Sequence, residues 1–98
     1  MIYVVATLTA KPGKHEMLTA GARPVIEATR KEAGCISYDL TRSISEPDTF
    51  VFIERWTTRE ALEAHFQTPH LAAWREVGKE CIAARKVEII HAGQVETL

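Results

Sequence analysis

The feature that most limits how this chain can fold is the stretch Thr49 to Thr57, which is apolar on both sides. Extended, it places Phe50, Phe52 and Trp56 on one face and Val51 and Ile53 on the other. An antiparallel sheet with one wet face alternates apolar with polar residues. This strand therefore asks for cover on both faces, by two different things.

The first cover is visible in the flanking periodicities. Residues 2–9 alternate, with Ile2, Val4, Ala6 and Leu8 opposite Tyr3, Val5, Thr7 and Thr9. Lys11-Pro12-Gly13 ends that strand with turn chemistry. From Lys14 to Ala33 the period turns helical through Met17, Leu18, Gly21, Ala22, Val25 and Ile26. Pro24 is expected to kink or split this helix, and Gly34 to end it in a left-handed cap. Residues 35–42 alternate again, with Ile36, Tyr38 and Leu40 on one face, and Ser45–Asp48 turns the chain into the 49–57 strand as a hairpin. Thr58 and Thr68 are placed as N-caps of a short helix through Phe66 and of a second one opening at Pro69. Leu71, Trp74, Gly78 and Cys81 follow at helical spacing, and residues 86–91 read as a last strand before a tail opening at Gly93.

The order is β-α-β-β-α-β, an α+β ferredoxin-like sandwich with helices on one face of an antiparallel sheet. The other face then needs its own cover, because an open apolar face of several hundred Å² is unusual on a soluble monomer. A second copy packed sheet to sheet about a two-fold axis is the economical cover, so a homodimer is expected. The tail 92–98 is the lesser alternative.

At 98 residues the chain reads as one domain spanning 1–98. Twelve basic and thirteen acidic residues leave a net charge of -1 with no basic segment, which sets nucleic acid aside as a partner. No apolar run approaches the roughly 20 residues that cross a bilayer, and the short apolar start lacks the features of a secretion signal. Cys35 and Cys81 have no metal-like or redox-like spacing and read as buried free thiols in a reducing compartment, which makes the cytoplasm the expected location.

Four residues are candidates for chemistry. Glu54 shares a face with Phe52 and Trp56, and a carboxylate in apolar surroundings is paired or carries a raised pKa. It can be a general acid or base, or it can pair with Arg42, Arg85 or an arginine of a partner chain; the ion pair is the commoner arrangement. Tyr38 stands opposite Glu54 if the hairpin closes symmetrically about Ser45–Asp48, and a one-residue slip would part them. His65, beside Phe66, reads as pocket-facing or as a satisfied core histidine. His70, near the start of the last helix, reads as a neutral imidazole able to take a proton or as a surface cap. The two histidines lie five apart across Pro69 with no zinc pattern nearby, so no metal site is expected. Trp74 holds a core-stripe position, where packing is the default, and an aromatic there can also wall a pocket for a planar ligand. No phosphate loop and no flavin or nicotinamide fingerprint occurs, so no cofactor is expected either.

Three segments, Glu32-Ala33-Gly34-Cys35-Ile36-Ser37-Tyr38, Phe52-Ile53-Glu54-Arg55-Trp56 and Leu62-Glu63-Ala64-His65-Phe66-Gln67-Thr68-Pro69-His70, resemble the antibiotic biosynthesis monooxygenase family. The likeness is nearest to its small bacterial quinol monooxygenases. The resemblance implies a ferredoxin-like homodimer whose sheets pack into an α/β barrel, each subunit holding a pocket between sheet and helices. It also implies oxygenation of a phenolic or hydroquinone-type small molecule by O2 without metal or flavin. On that implication His65, His70, Glu54 and Tyr38 are the catalytic candidates, and Phe52, Trp56, Phe66 and Trp74 the pocket walls. Haem-degrading relatives carry an asparagine on the first strand and a haem-ligating histidine in the last helix. This chain has Ala6 and Thr7 on that strand and Arg75, Glu76 and Val77 after Trp74, so that branch is not implied. Two alternatives stand beside the oxygenase: an isomerase or degradative enzyme for a small carbonyl compound, and a non-catalytic ligand-binding dimer.

Overall fold

The computed structural model describes residues 1–98. Its elements run β1 (Ile2–Ala10), α1 (His15–Thr29), β2 (Cys35–Arg42), β3 (Thr49–Trp56), α2 (Arg59–Phe66), α3 (Pro69–Cys81) and β4 (Ile82–His91). The strands form one antiparallel sheet in the order β2-β3-β1-β4, a ferredoxin-like α+β fold. The second helical unit is two helices, parted where Thr68 caps α3 by accepting from the Leu71 amide, with Pro69 as its first residue. Thr58 caps α2 in the same way through the Ala61 amide.

The helix side of the sheet is the core. Ile2, Val4, Ala6 and Leu8 of β1 and Phe50, Phe52 and Trp56 of β3 are buried there against Leu18, Ala22 and Val25 of α1, Leu62 of α2 and Leu71 and Trp74 of α3. The far side follows the other parity: Tyr3 lies between Arg55 and Ile90, and Val5 between Ile53 and Glu88. Ile53 and Ile90 are exposed on it, at 37% and 46%. Tyr3, Val5 and Val51 are only partly buried there, and the tail after Ala92 is exposed.

Several details depart from the sequence reading. Pro24 does not split α1, which is continuous from His15 to Thr29. Pro24 and Ala20 are both exposed, so the carbonyl that loses its partner to the proline faces water. The helix also ends at Thr29 instead of Ala33, and Gly34 lies past a turn rather than capping it. Its positive φ of 85° is real, and it has a second reason to be glycine: a Cβ there would stand 2.6 Å from the Ala61 Cβ of α2 and 2.9 Å from Thr57 Oγ1. Ile36 leaves the core face because the β2–β3 register shifts between Cys35 and Ser37, the mark of a bulge; Cys35 packs on the core in its stead and Ile36 is 42% exposed. Finally, β4 begins at Ile82, directly after α3, four residues earlier than its alternation indicates.

Candidate functional site

The register carried unbroken from the hairpin turn pairs Tyr38 with Glu54, and the shift comes only beyond them, between Cys35 and Ser37. Both point to the helix side, where a cavity of about 170 Å³ lies between the sheet and α2–α3. Val4, Ala6, Leu8, Phe52 and Val87 line its sheet side together with Tyr38 and Glu54. His65 and Phe66 from α2, and Leu71, Trp74 and Arg75 from α3, close it from above, and Arg85 of β4 completes it. An apolar cavity of roughly 150 Å³ accommodates benzene. The volume here suits one aromatic ring.

Glu54 is almost wholly buried and pairs with neither Arg42 nor Arg85, the two arginines of its own chain considered from sequence. Its one side-chain partner is Trp56, whose Nε1–H donates to Oε1 at 3.0 Å. Burial pushes its carboxyl up from the ordinary 4.5 to about 7, against the Trp56 hydrogen bond, and the nearby Glu32 charge adds to the rise. Trp56 itself, expected in the pocket wall, is fully buried and does not line the cavity. A strand residue two places from Glu54 serves the carboxyl as donor rather than the ligand as wall.

Tyr38 is held neutral. Burial first, then the charges of Glu54 and Glu32, raise its phenol far above the ordinary range, which keeps the hydroxyl protonated and able to donate a hydrogen bond. Thr29 approaches it closely enough to lower it slightly, yet without hydrogen-bond geometry, and the buried Thr29 hydroxyl is left unpartnered.

His65 is 2% exposed and sits in an aromatic surround, with the Trp56 ring centroid at 4.8 Å and Tyr38 at 5.5 Å. Its Nδ1 is 2.7 Å from Glu32 Oε2, and the same oxygen lies 2.7 Å from His70 Nε2. One carboxylate thus accepts from two imidazoles. The tautomer of each ring follows: His65 carries its proton on Nδ1, and its Nε2 keeps a lone pair. Burial lowers the His65 pKa, and the Glu32 hydrogen bond and charge only partly restore it. A neutral, oriented imidazole in the wall of a largely apolar cavity has the form of a general base.

His70 does not line the cavity. It is partly exposed and meets the cluster through its bond to Glu32. Glu32 escaped the sequence reading because it meets residues 33 and 38 positions away. One local signal was available: an acid just beyond a helix C-terminus, where the macrodipole disfavours negative charge, has a use elsewhere. Arg75 and Arg85 were likewise not placed at the cavity by spacing. Glu32, His65 and His70 also present donor atoms within 4.8 Å of one another, a two-histidine, one-carboxylate set of the kind that suits first-row metals. In this arrangement the three groups satisfy each other directly.

Fold and site together define a class: a ferredoxin-like domain with an apolar, ring-sized cavity and acid–base groups in its wall. The antibiotic biosynthesis monooxygenase family model matches residues 1–77. The Escherichia coli K12 protein named "Probable quinol monooxygenase YgiN" is 33% identical over 95% of this chain and 99% of its own. Among solved structures, Rv0793 of Mycobacterium tuberculosis superposes with a TM-score of 0.90 at 29% identity, covering 98% of each chain. Protein SO0527 of Shewanella oneidensis does so with a TM-score of 0.88 at 34% identity, covering 93% of this chain and 89% of that one. This chain belongs to the antibiotic biosynthesis monooxygenase family.

Proposed function

We propose that this protein is a cofactor-independent monooxygenase that oxidises a phenolic or hydroquinone-type small molecule with O2, as a homodimer. The observation that carries the reading is His65, fixed by Glu32 in the wall of an apolar cavity that suits one ring. Family membership and the name of the E. coli relative support the same chemistry.

In the proposed reaction His65 Nε2 takes a phenolic proton. Glu54, protonated over part of the neutral range, and Tyr38 hydrogen-bond to ligand oxygens. The electron-rich anion reduces O2 by one electron, the two radicals join at a ring carbon, and loss of water from the hydroperoxide leaves a hydroxyquinone. Hydroquinone plus O2 thus balances hydroxyquinone plus water, with the substrate as sole reductant. The chain has to supply a base, alignment and exclusion of water. His65, with its pKa lowered, and Glu54, with its pKa raised, form a pair of groups driven apart by environment, the pattern that assigns base and acid.

The partly exposed sheet face supports the homodimer, since Val5, Val51, Ile53 and Ile90 offer a second copy a self-complementary apolar patch. The two free cysteines agree with a reducing, cytoplasmic setting, and no helix is long and apolar enough to cross a membrane.

The test is oxygen uptake with hydroquinone, with 18O2 labelling of the product. One labelled oxygen per turnover, lost in His65→Gln, is the expected result. Ligand deuterium exchange without O2 uptake would move the assignment to an isomerase. Binding with neither reaction would leave a ligand carrier.

A further inference from the structure

We infer that the cavity takes a single-ring ligand bearing an acidic substituent, whose anion is held by Arg75 and Arg85. The inference rests on the cavity being the ligand site and adds the substrate's charge. Tyr38 and Glu54 stand on β2 and β3, whereas Arg85 stands on β4 at the opposite edge of the sheet; Arg75 of α3 reaches the cavity from the Phe66 side, near enough for its charge to act on His65. Through the pairings Glu54–Val4 and Leu8–Arg85, the two ends lie two strands apart across the sheet and four residues apart along it. Those spacings put their Cα atoms roughly 16 Å apart. A ring whose hydroxyl reaches the acid–base end directs a substituent on its far side toward the cations.

Neither arginine is paired with a carboxylate. Arg85 makes no ion pair or side-chain hydrogen bond within the chain, and Arg75 makes one long bond, Nη1 to the Phe66 carbonyl at 3.4 Å. No acidic side chain lines their end of the cavity. The Arg85 head group is also seated: it lies against α3 at Gly78, where a Cβ would come within 2.9 Å of Nη2. A glycine there opens room for the guanidinium beside the cavity. A planar fork of donors with no carboxylate of its own matches a ligand carboxylate, which it can grip with two parallel bonds. Glu54 at the other end disfavours the same anion, so the pair of sites also sets which way round the ligand enters.

Equilibrium binding without oxygen tests this, read by tryptophan fluorescence because Trp74 lines the cavity. The probes are 2,5-dihydroxybenzoate and its uncharged amide, 2,5-dihydroxybenzamide. The carboxylate is expected to bind about tenfold more tightly than the amide at low salt, the gap narrowing in 0.5 M NaCl. In Arg75→Gln/Arg85→Gln the ratio falls to about one, and because both ligands meet the same variant, loss of fold cannot imitate that change. A wild-type ratio at or below one, a ratio that survives in the double variant, or binding of neither ligand would overturn the inference. Turnover is not needed, so absent O2 uptake with an intact ratio would count against the oxygenase reading alone.

Discussion

Replacing Glu54 by glutamine should stabilise the protein, and only above a definite pH. In the unfolded chain the carboxyl ionises near its ordinary 4.5, and in the folded protein near 7. Below 4.5 both states hold the proton and the group is neutral in its effect. Between 4.5 and 7 the native state keeps a proton the unfolded chain has lost, so stability falls as pH rises; above 7 the loss is complete. At about 1.36 kcal/mol per pH unit, the full interval corresponds to about 3 kcal/mol. Glutamine keeps an oxygen for the Trp56 Nε1–H, 3.0 Å away, and removes the charge. The variant should therefore exceed wild type by only about 1 kcal/mol at pH 5 and by about 3 kcal/mol at pH 8. In a domain of this length that is a melting-temperature gap on the order of 10 °C. Urea unfolding at pH 5, 6, 7 and 8 reads it, at one fixed protein concentration because association shifts apparent stability. A difference that does not vary with pH, or a variant weaker than wild type at pH 8, would refute a buried, unpaired carboxyl at this position.

Two further outcomes follow from the site and the sheet. Glu32→Gln should lower kcat by about 10²-fold with little change in KM, and should move the acidic limb of the pH–rate profile to lower pH, since Glu32 is what raises the otherwise depressed His65; an unmoved limb would deny Glu32 its positioning role. Ile53→Lys should turn a dimer into a folded monomer by sedimentation, with the far-ultraviolet dichroism retained; a wild-type monomer would refute the sheet-face interface.

The parts of the fold that were legible in sequence are those with a local cause. Alternation placed Val4, Phe52 and Glu54 on one side of the sheet, and threonine caps fixed the starts of α2 and α3. The Tyr38–Glu54 pairing was legible only as far as the hairpin was symmetric, and the bulge at Ile36, with no sequence mark of its own, exchanged Ile36 for Cys35 on the core. The helix stripe ran on past Thr29 because Lys31–Ala33 carry no stop signal before Gly34. The Glu32–His65–His70 cluster was the least legible, since its members are brought together by a loop crossing to another helix rather than by spacing. Trp56 was misplaced because a strand face says which side a residue lies on and nothing about whether a cavity reaches it.

Gly34 gives the cluster a mechanical dependence. The loop that carries Glu32 touches α2, the helix that carries His65, at the Ala61 methyl, and its carbonyl receives the Thr57 amide at 2.9 Å. Loop and helix are thus clasped two residues from the carboxylate, at a point with no room for one more carbon. Any side chain at 34 would act as a wedge, prising Glu32 from both imidazoles at once. The basicity of His65 is thereby tuned by a gap in the packing that no polar residue occupies.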